Sequence, residues 1–236
     1  MRFAASALLL ALSVVVGVAQ QPTPPAAAQT GQTDIYHVHF AKAVPGQAAA
    51  LGKALMTPDP ASPMPDHFIV LRHQEGDNWD YAVIQHLGQK ASVEISTAAP
   101  NPATPLRAWH DDTFTAGPPW PEFMRAMGLG AENSGSMVYV VSTQRAVPGH
   151  RDQLEKLLMQ PPPSNSKIQP GSVVLPHLEG GAWTFLSITR YNSWQDLAAD
   201  RAEGAANPDS AGGWNEVRQH SDTHRDTIAD RIYPAK

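Results

Sequence analysis

Hydrophobic and polar positions alternate along residues 35–42, Ile-Tyr-His-Val-His-Phe-Ala-Lys, and the run ends at Pro45-Gly46. That pattern is a strand entering a turn. Residues 47–56 are rich in Ala and Leu and stop before Pro58, which predicts a short helix. Residues 68–73 and 79–86 are rich in β-branched and aromatic side chains and flank Gln-Glu-Gly-Asp-Asn, the pattern of a hairpin. The same succession returns as a strand at 137–143, a helix at 150–159 and a hairpin at 172–177 and 183–191. A second helical stretch follows each hairpin, clearest at 193–201, and short strands at 112–116 and 227–233 close the two successions.

The repetition extends to individual residues. Ala43-Val44-Pro45-Gly46 returns as Ala146-Val147-Pro148-Gly149. Leu71-x-His73-x-Glu75-Gly76-x-x-Trp79 returns as Leu175-x-His177-x-Glu179-Gly180-x-x-Trp183, and His110-x-Asp112-Thr113 as His224-x-Asp226-Thr227. Matched signals in one order predict a tandem duplication of a unit of roughly a hundred residues, at 34–131 and 136–236. Each unit reads β-α-β-β-α-β, the ferredoxin-like split order, so the fold class is α+β.

On this element order and the strand–Pro-Gly–helix opening, the chain resembles the dimeric α+β barrel superfamily. That group includes antibiotic-biosynthesis-type monooxygenases, stress-responsive barrel proteins, haem-degrading enzymes and muconolactone-isomerase-like proteins. The resemblance implies two units pairing their sheets face to face, here as one pseudo-twofold barrel within one chain, with helices outside. It carries over no catalytic residue. Residues 116–136 are rich in Pro and Gly, and two domains on a linker are the alternative. Each sheet would then expose an apolar face, which is costly at ~25 cal/mol per Å².

The ends and the composition bound the setting. Arg2, an apolar run at 7–18 and Gly17-Val18-Ala19 read as a signal peptide, 1–19, cleaved near Ala19–Gln20. The run is shorter than the ~20 residues of a spanning helix, and a retained anchor is the alternative. Residues 20–33 are Gln, Pro, Ala, Thr and Gly with no charge, a tether unable to bury a core. The expectation is a periplasmic or secreted protein, free of the membrane after processing. The sequence contains no cysteine, which excludes disulfides and a lipid-anchored amino terminus. A formal charge of −5 without Lys/Arg clusters argues against nucleic acid as a partner. A homo-oligomer is left open.

Several residue sets could carry chemistry. His37 and His39 share one face of the first strand, and the third strand brings His86 beside it. Three neutral imidazoles could bind a transition metal, although no cofactor is the plainer expectation. With Tyr36, Val38 and Phe40 facing the helices, this histidine face would look into the barrel. The second copy has Val140, Ser142 and Arg190 at those places, so such a site belongs to the first half alone. His73 with Glu75, and His177 with Glu179, could each form a general base with an orienting carboxylate, or merely a hydrogen-bonded turn. His110 and His224 could serve as catalytic residues of a pair of pseudo-twofold sites at the barrel mouths, and they precede Asp112 and Asp226, whose side chains would cap or turn the backbone between a helix and a strand. His220 and His224 share a face of a helical stretch. Trp79 and Trp183 suit packing at the barrel mouth, and with Tyr36, Tyr139 and Arg190 they are the candidate ligand contacts.

Nucleotide-binding glycine loops, the Gly-x-Ser-x-Gly elbow, the zinc-protease helix and a cysteine nucleophile are absent. Two expectations remain: binding of a small hydrophobic or aromatic molecule in the barrel cavity, or cofactor-independent or metal-assisted monooxygenase or isomerase chemistry there.

Overall fold

A computed structural model describes residues 31–58, 67–89, 102–130, 136–161, 168 and 171–234. The first half contains β1 (Asp34–Ala43), α1 (Ala48–Leu55), β2 (Phe68–Glu75), β3 (Tyr81–Gln89) and β4 (Arg107–Gly117). After α2 (Trp120–Ala126) come β5 (Val138–Ala146), α3 (Arg151–Leu158), β6 (Gly171–Glu179) and β7 (Phe185–Tyr191). The chain then runs through α4 (Trp194–Ala206), α5 (Trp214–His220) and β8 (Ser221–Tyr233). The expected leader and tether, except for residues 31–33, lie outside the described residues, as does most of the stretch expected to hold the second helix of the first half. Among the described residues no helix is long and apolar enough to cross a membrane.

All eight strands close into one barrel in the order β1-β3-β2-β8-β5-β7-β6-β4, every pairing antiparallel. Within the first half the order is 4-1-3-2 and within the second it is 8-5-7-6. The two four-stranded sheets join at β2–β8 and at β4–β6. Two domains on a linker are thereby excluded, because closure pairs the exposed edge of each sheet with the other half.

Alternation along the strands decides what fills the barrel. Tyr36, Val38, Ile69 and Leu71 from the first half share one cluster with Tyr139, Val141, Leu175 and Ile188 from the second. Most of these side chains are wholly inaccessible, so the middle of the barrel is packed rather than hollow. The expected orientation of β1 is therefore reversed. Tyr36, Val38 and Phe40 point into the barrel, and His37 and His39 point outward. The physical reason is that an inner face enclosed by both sheets is mostly apolar, whereas helices cover the outer face only in part.

The repeated motifs sit where the halves meet. Gly76 (φ 129°) and Gly180 (φ 107°) turn the β2–β3 and β6–β7 hairpins. A Cβ on Gly76 would lie 2.4 Å from the Asp226 carbonyl oxygen, and one on Gly180 would lie 2.4 Å from that of Asp112. The Thr227 hydroxyl accepts from the Asp77 amide and the Thr113 hydroxyl from the Gly181 amide, both at 3.0 Å. The Glu-Gly signal of each half thus meets the Asp-Thr signal of the other, and the repeated spacing serves barrel closure.

α2 was not foreseen from the sequence, where Pro118-Pro119-Trp-Pro reads as linker. Proline in a first helical turn costs nothing, since its missing N–H has no intrahelical partner there. The helix plugs one end of the barrel through Phe123 and Met127. The Tyr36 hydroxyl donates to the Pro118 carbonyl at 2.7 Å and the Tyr139 hydroxyl to the Met127 carbonyl at 2.9 Å, so equivalent tyrosines hold its two ends.

Candidate functional site

The expected three-histidine metal set does not assemble. His86 is on the inward side of β3, where Nε2 meets Asp34 Oδ2 at 2.7 Å and the ring packs against Tyr36 and Trp120. His37 and His39 lie on the other face of the sheet, against Asp112. His37 Nε2 and His39 Nδ1 approach Asp112 Oδ1 at 2.8 and 2.7 Å, and His110 Nε2 approaches Oδ2 at 3.3 Å. Arg107 Nη1 lies 3.1 Å from His39 Nε2. A guanidinium can only donate, so it makes His39 Nε2 an acceptor and leaves the ring proton on Nδ1, toward Asp112. Burial would raise the Asp112 carboxyl, but the hydrogen bonds from His37 and His39 outweigh it and hold it well below the usual range. Among the described residues no group of three or more His, Asp or Glu is arranged to hold a metal ion.

His73 and His177 do not pair with Glu75 and Glu179, which are exposed. Each imidazole sits edge-on to its neighbouring tryptophan, His73 to Trp79 and His177 to Trp183, with ring centroids 5.6 Å apart in both. Nε2 of each is buried with no hydrogen-bond partner among the described residues, so these rings pack against tryptophan instead of forming a base with a carboxylate. Trp79 is buried in the barrel cluster and Trp183 packs against it. Arg190 donates through Nε to the Ala126 carbonyl at 2.9 Å, where its charge suits the C-terminal end of α2. Tyr36, Tyr139 and Arg190 are thus engaged in holding α2.

His110 and His224 fall inside β4 and β8, not between a helix and a strand. β8 begins at Ser221, so His220 and His224 do not share a helix. Asp112 and Asp226 are mid-strand, and their side chains bind neighbouring strands instead of capping a turn.

The geometry that can host chemistry lies on the outer face of the second half. A cleft of about 370 Å³ opens between β5, β7 and β8 below and α3, α4 and α5 above. In it, Asp226 Oδ1 accepts from the Ser142 hydroxyl at 2.5 Å and lies 2.7 Å from His224 Nε2, while Oδ2 accepts from Arg201 at 3.0 Å. Burial would raise the Asp226 carboxyl, but the bonds from His224 and Ser142 and the charges of His224 and Arg201 hold it below the ordinary carboxylate range. In its neutral state His224 takes the tautomer with its proton on Nε2, toward the ionised Asp226, and leaves an Nδ1 lone pair. Tyr191 donates to Asp200 Oδ2 at 2.7 Å in the same cleft, where burial first and the Asp200 hydrogen bond second push the phenol well up.

Of the cleft, sequence reading had singled out only His224, with Asp226 as a backbone cap and Ser142 and Val140 as the counterparts of His39 and His37. Gln144, Ser187, Tyr191, Asp200, Arg201 and Trp214 were missed. Their signal was present: Ser142 and Gln144 on one strand and Ser187 and Thr189 on another are polar on the side that faces the helices. An ordinary sheet–helix interface would be apolar there.

The sequence matches no protein-family model and no curated protein. Solved structures do match. One described as an anthrone oxidase-like protein superposes with a TM-score of 0.59 at 13% identity, over 88% of this chain and 94% of that one. A monooxygenase candidate from Lactobacillus acidophilus NCFM gives 0.49 at 8% identity, over 84% and 94%. A chlorite dismutase candidate gives 0.42 at 12%, over 85% and 96%. The likeness to the first is one of fold, and that fold is the α+β barrel.

Proposed function

We propose that the protein holds a small molecule in the outer cleft of its second half, where the His224–Asp226 pair moves a proton to or from it. The observation that carries this reading is the coincidence of a cleft of about 370 Å³ with an imidazole oriented by a carboxylate. A carboxylate-held histidine suits proton abstraction from a bound hydroxyl or from a carbon beside a carbonyl. The cleft, not the packed barrel, replaces the expected central cavity. The anthrone oxidase-like description of the fold neighbour supports oxidation of the bound molecule as the second reading.

The wider setting belongs to the same proposal. The chain is read as two fused ferredoxin-like units, 34–131 and 136–236, supported by the matching 4-1-3-2 and 8-5-7-6 orders and the paired Gly–Thr closures. It is read as exported and processed near Ala19, which N-terminal sequencing of the native protein checks.

The deciding test is a small-molecule fragment screen by ligand-observed NMR on the wild type, His224→Gln and Asp226→Asn. Hits that weaken in both variants are expected, together with slower hydrogen–deuterium exchange at the α-carbon of dihydroxyacetone when His224 is replaced. Fragments that bind equally well to all three proteins would place the site elsewhere.

A further inference from the structure

Building on the cleft as the binding site, we infer that its ligand is a neutral polyhydroxylated molecule of about the size of one hexose, a sugar or cyclic polyol. The floor demands donors. Gln144 is only 4% exposed, lines the cleft, and its Oε1 has no hydrogen-bond partner among the described residues. A buried acceptor left unpaired is unfavourable, and a ligand hydroxyl at that point would satisfy it. Ser187 and Thr189 line the same floor with further hydroxyls.

Strand register shows that this polarity is not required by the fold. Gln144, Ser187 and Ser172 occupy the places that Ala41, Val83 and Phe68 hold in the first half. There, these side chains join the apolar cluster beneath α1. The second half has hydroxyls and an amide where a filled apolar layer is possible.

The roof supplies the opposite chemistry. Leu157, Leu158 and Val217 are apolar, and Trp214 stands at the cleft with 55% of its surface exposed. An indole face and aliphatic side chains above hydrogen-bonding groups suit a ring with C–H faces and a hydroxylated rim. Charge narrows the class further. With His224 neutral, Asp200 and Asp226 against Arg201 leave the cleft lining with one excess negative charge, which disfavours carboxylate or phosphate ligands. The volume sits at the low end of the roughly 300–1,000 Å³ of small-molecule sites.

The test is isothermal titration and tryptophan fluorescence of the full chain with myo-inositol, D-glucose, D-galactose, D-glucuronate and 1-naphthol. Saturable binding of at least one of the three neutral polyols is expected, with glucuronate about tenfold weaker or more than glucose. Gln144→Leu and Trp214→Ala should each weaken the polyol by about tenfold. Ser187→Val, which restores the first-half residue, gives the same readout should either variant fold poorly. Absence of saturable polyol binding up to about 100 mM, or equal binding by glucuronate, would overturn the inference. If 1-naphthol binds and His224→Gln abolishes its binding while no polyol binds, the cleft stands and only the ligand class falls. If none of the five binds, the cleft reading loses its support as well.

Discussion

The outer faces of the two halves share a register and differ in use. On the first, Ala41, Phe68 and Val83 pack beneath α1, and Asp112 is saturated by three imidazoles, one of them held by Arg107. On the second, Gln144, Ser172 and Ser187 line an open cleft, and Asp226 binds one imidazole, one hydroxyl and one guanidinium. The carboxylate and the histidine two residues before it are common to both. What differs is the layer around them: the His110–Asp112 pair lies at the exposed surface beside two further imidazoles, and the His224–Asp226 pair lines a cleft beneath the helices. The two halves thus share their closure contacts and differ on the face that closure does not use.

The contacts common to both halves give the largest expected effect. Gly76→Ala and Gly180→Ala each force a Cβ into a backbone carbonyl at a positive φ, and each should cost about 3 kcal/mol or more by denaturant unfolding. A large loss at one glycine and none at the other would break the equivalence of the two seams.

The carboxylates come next. Asp226→Asn should cost about 2 kcal/mol and Asp112→Asn about 1 kcal/mol, the smaller value allowing for its 40% side-chain exposure against 30%. Both groups have lowered folded-state pKa values, so their stabilisation is present above the ordinary carboxylate value and is lost as pH falls through the folded value. Thermal melts of the wild type should therefore steepen in their pH dependence below about pH 4, and either Asn variant should flatten that limb. An unchanged acid limb in both would remove this account.

Rebuilding the second face in the image of the first sharpens the comparison. Ser172→Phe with Ser187→Val should fill the cleft and abolish ligand binding, while stability changes by less than about 1.5 kcal/mol. Retained binding would show that the cleft is not the site. The smallest effect belongs to the closure hydroxyls: Thr113→Val and Thr227→Val should each cost about 1 kcal/mol, equally within error.

Much of this was legible in the chain itself. Period-two alternation, Pro-Gly turns and the doubled motifs specified β1–β3 and β5–β7, the helices α1, α3 and α4, and the α+β class, because local periodicity and turn chemistry act over a few residues. By contrast, β4 and β8 begin at Arg107 and Ser221, well before the expected 112 and 227. The asymmetry of His37 and His39 against Val140 and Ser142 was also visible. The roles of the repeated pairs were not. Glu-Gly and Asp-Thr read as a candidate site and a cap, and their partnership across the seam exists only once β2 meets β8 and β4 meets β6.

The direction of each strand face was likewise decided by closure. A strand that alternates Tyr-His-Val-His-Phe states that it has two faces, and not which of them will be enclosed. Joining two sheets into one barrel made the aromatic and aliphatic face the interior, turned His37 and His39 outward, and left His86 inside against Asp34. The cleft depends on the same event. Gln144, Ser187, Asp200, Trp214 and Asp226 come from β5, β7, α4, α5 and β8, and only the folded second half brings them to one place. Periodicity is a property of neighbours in sequence, whereas a site is made by residues that become neighbours when the barrel closes.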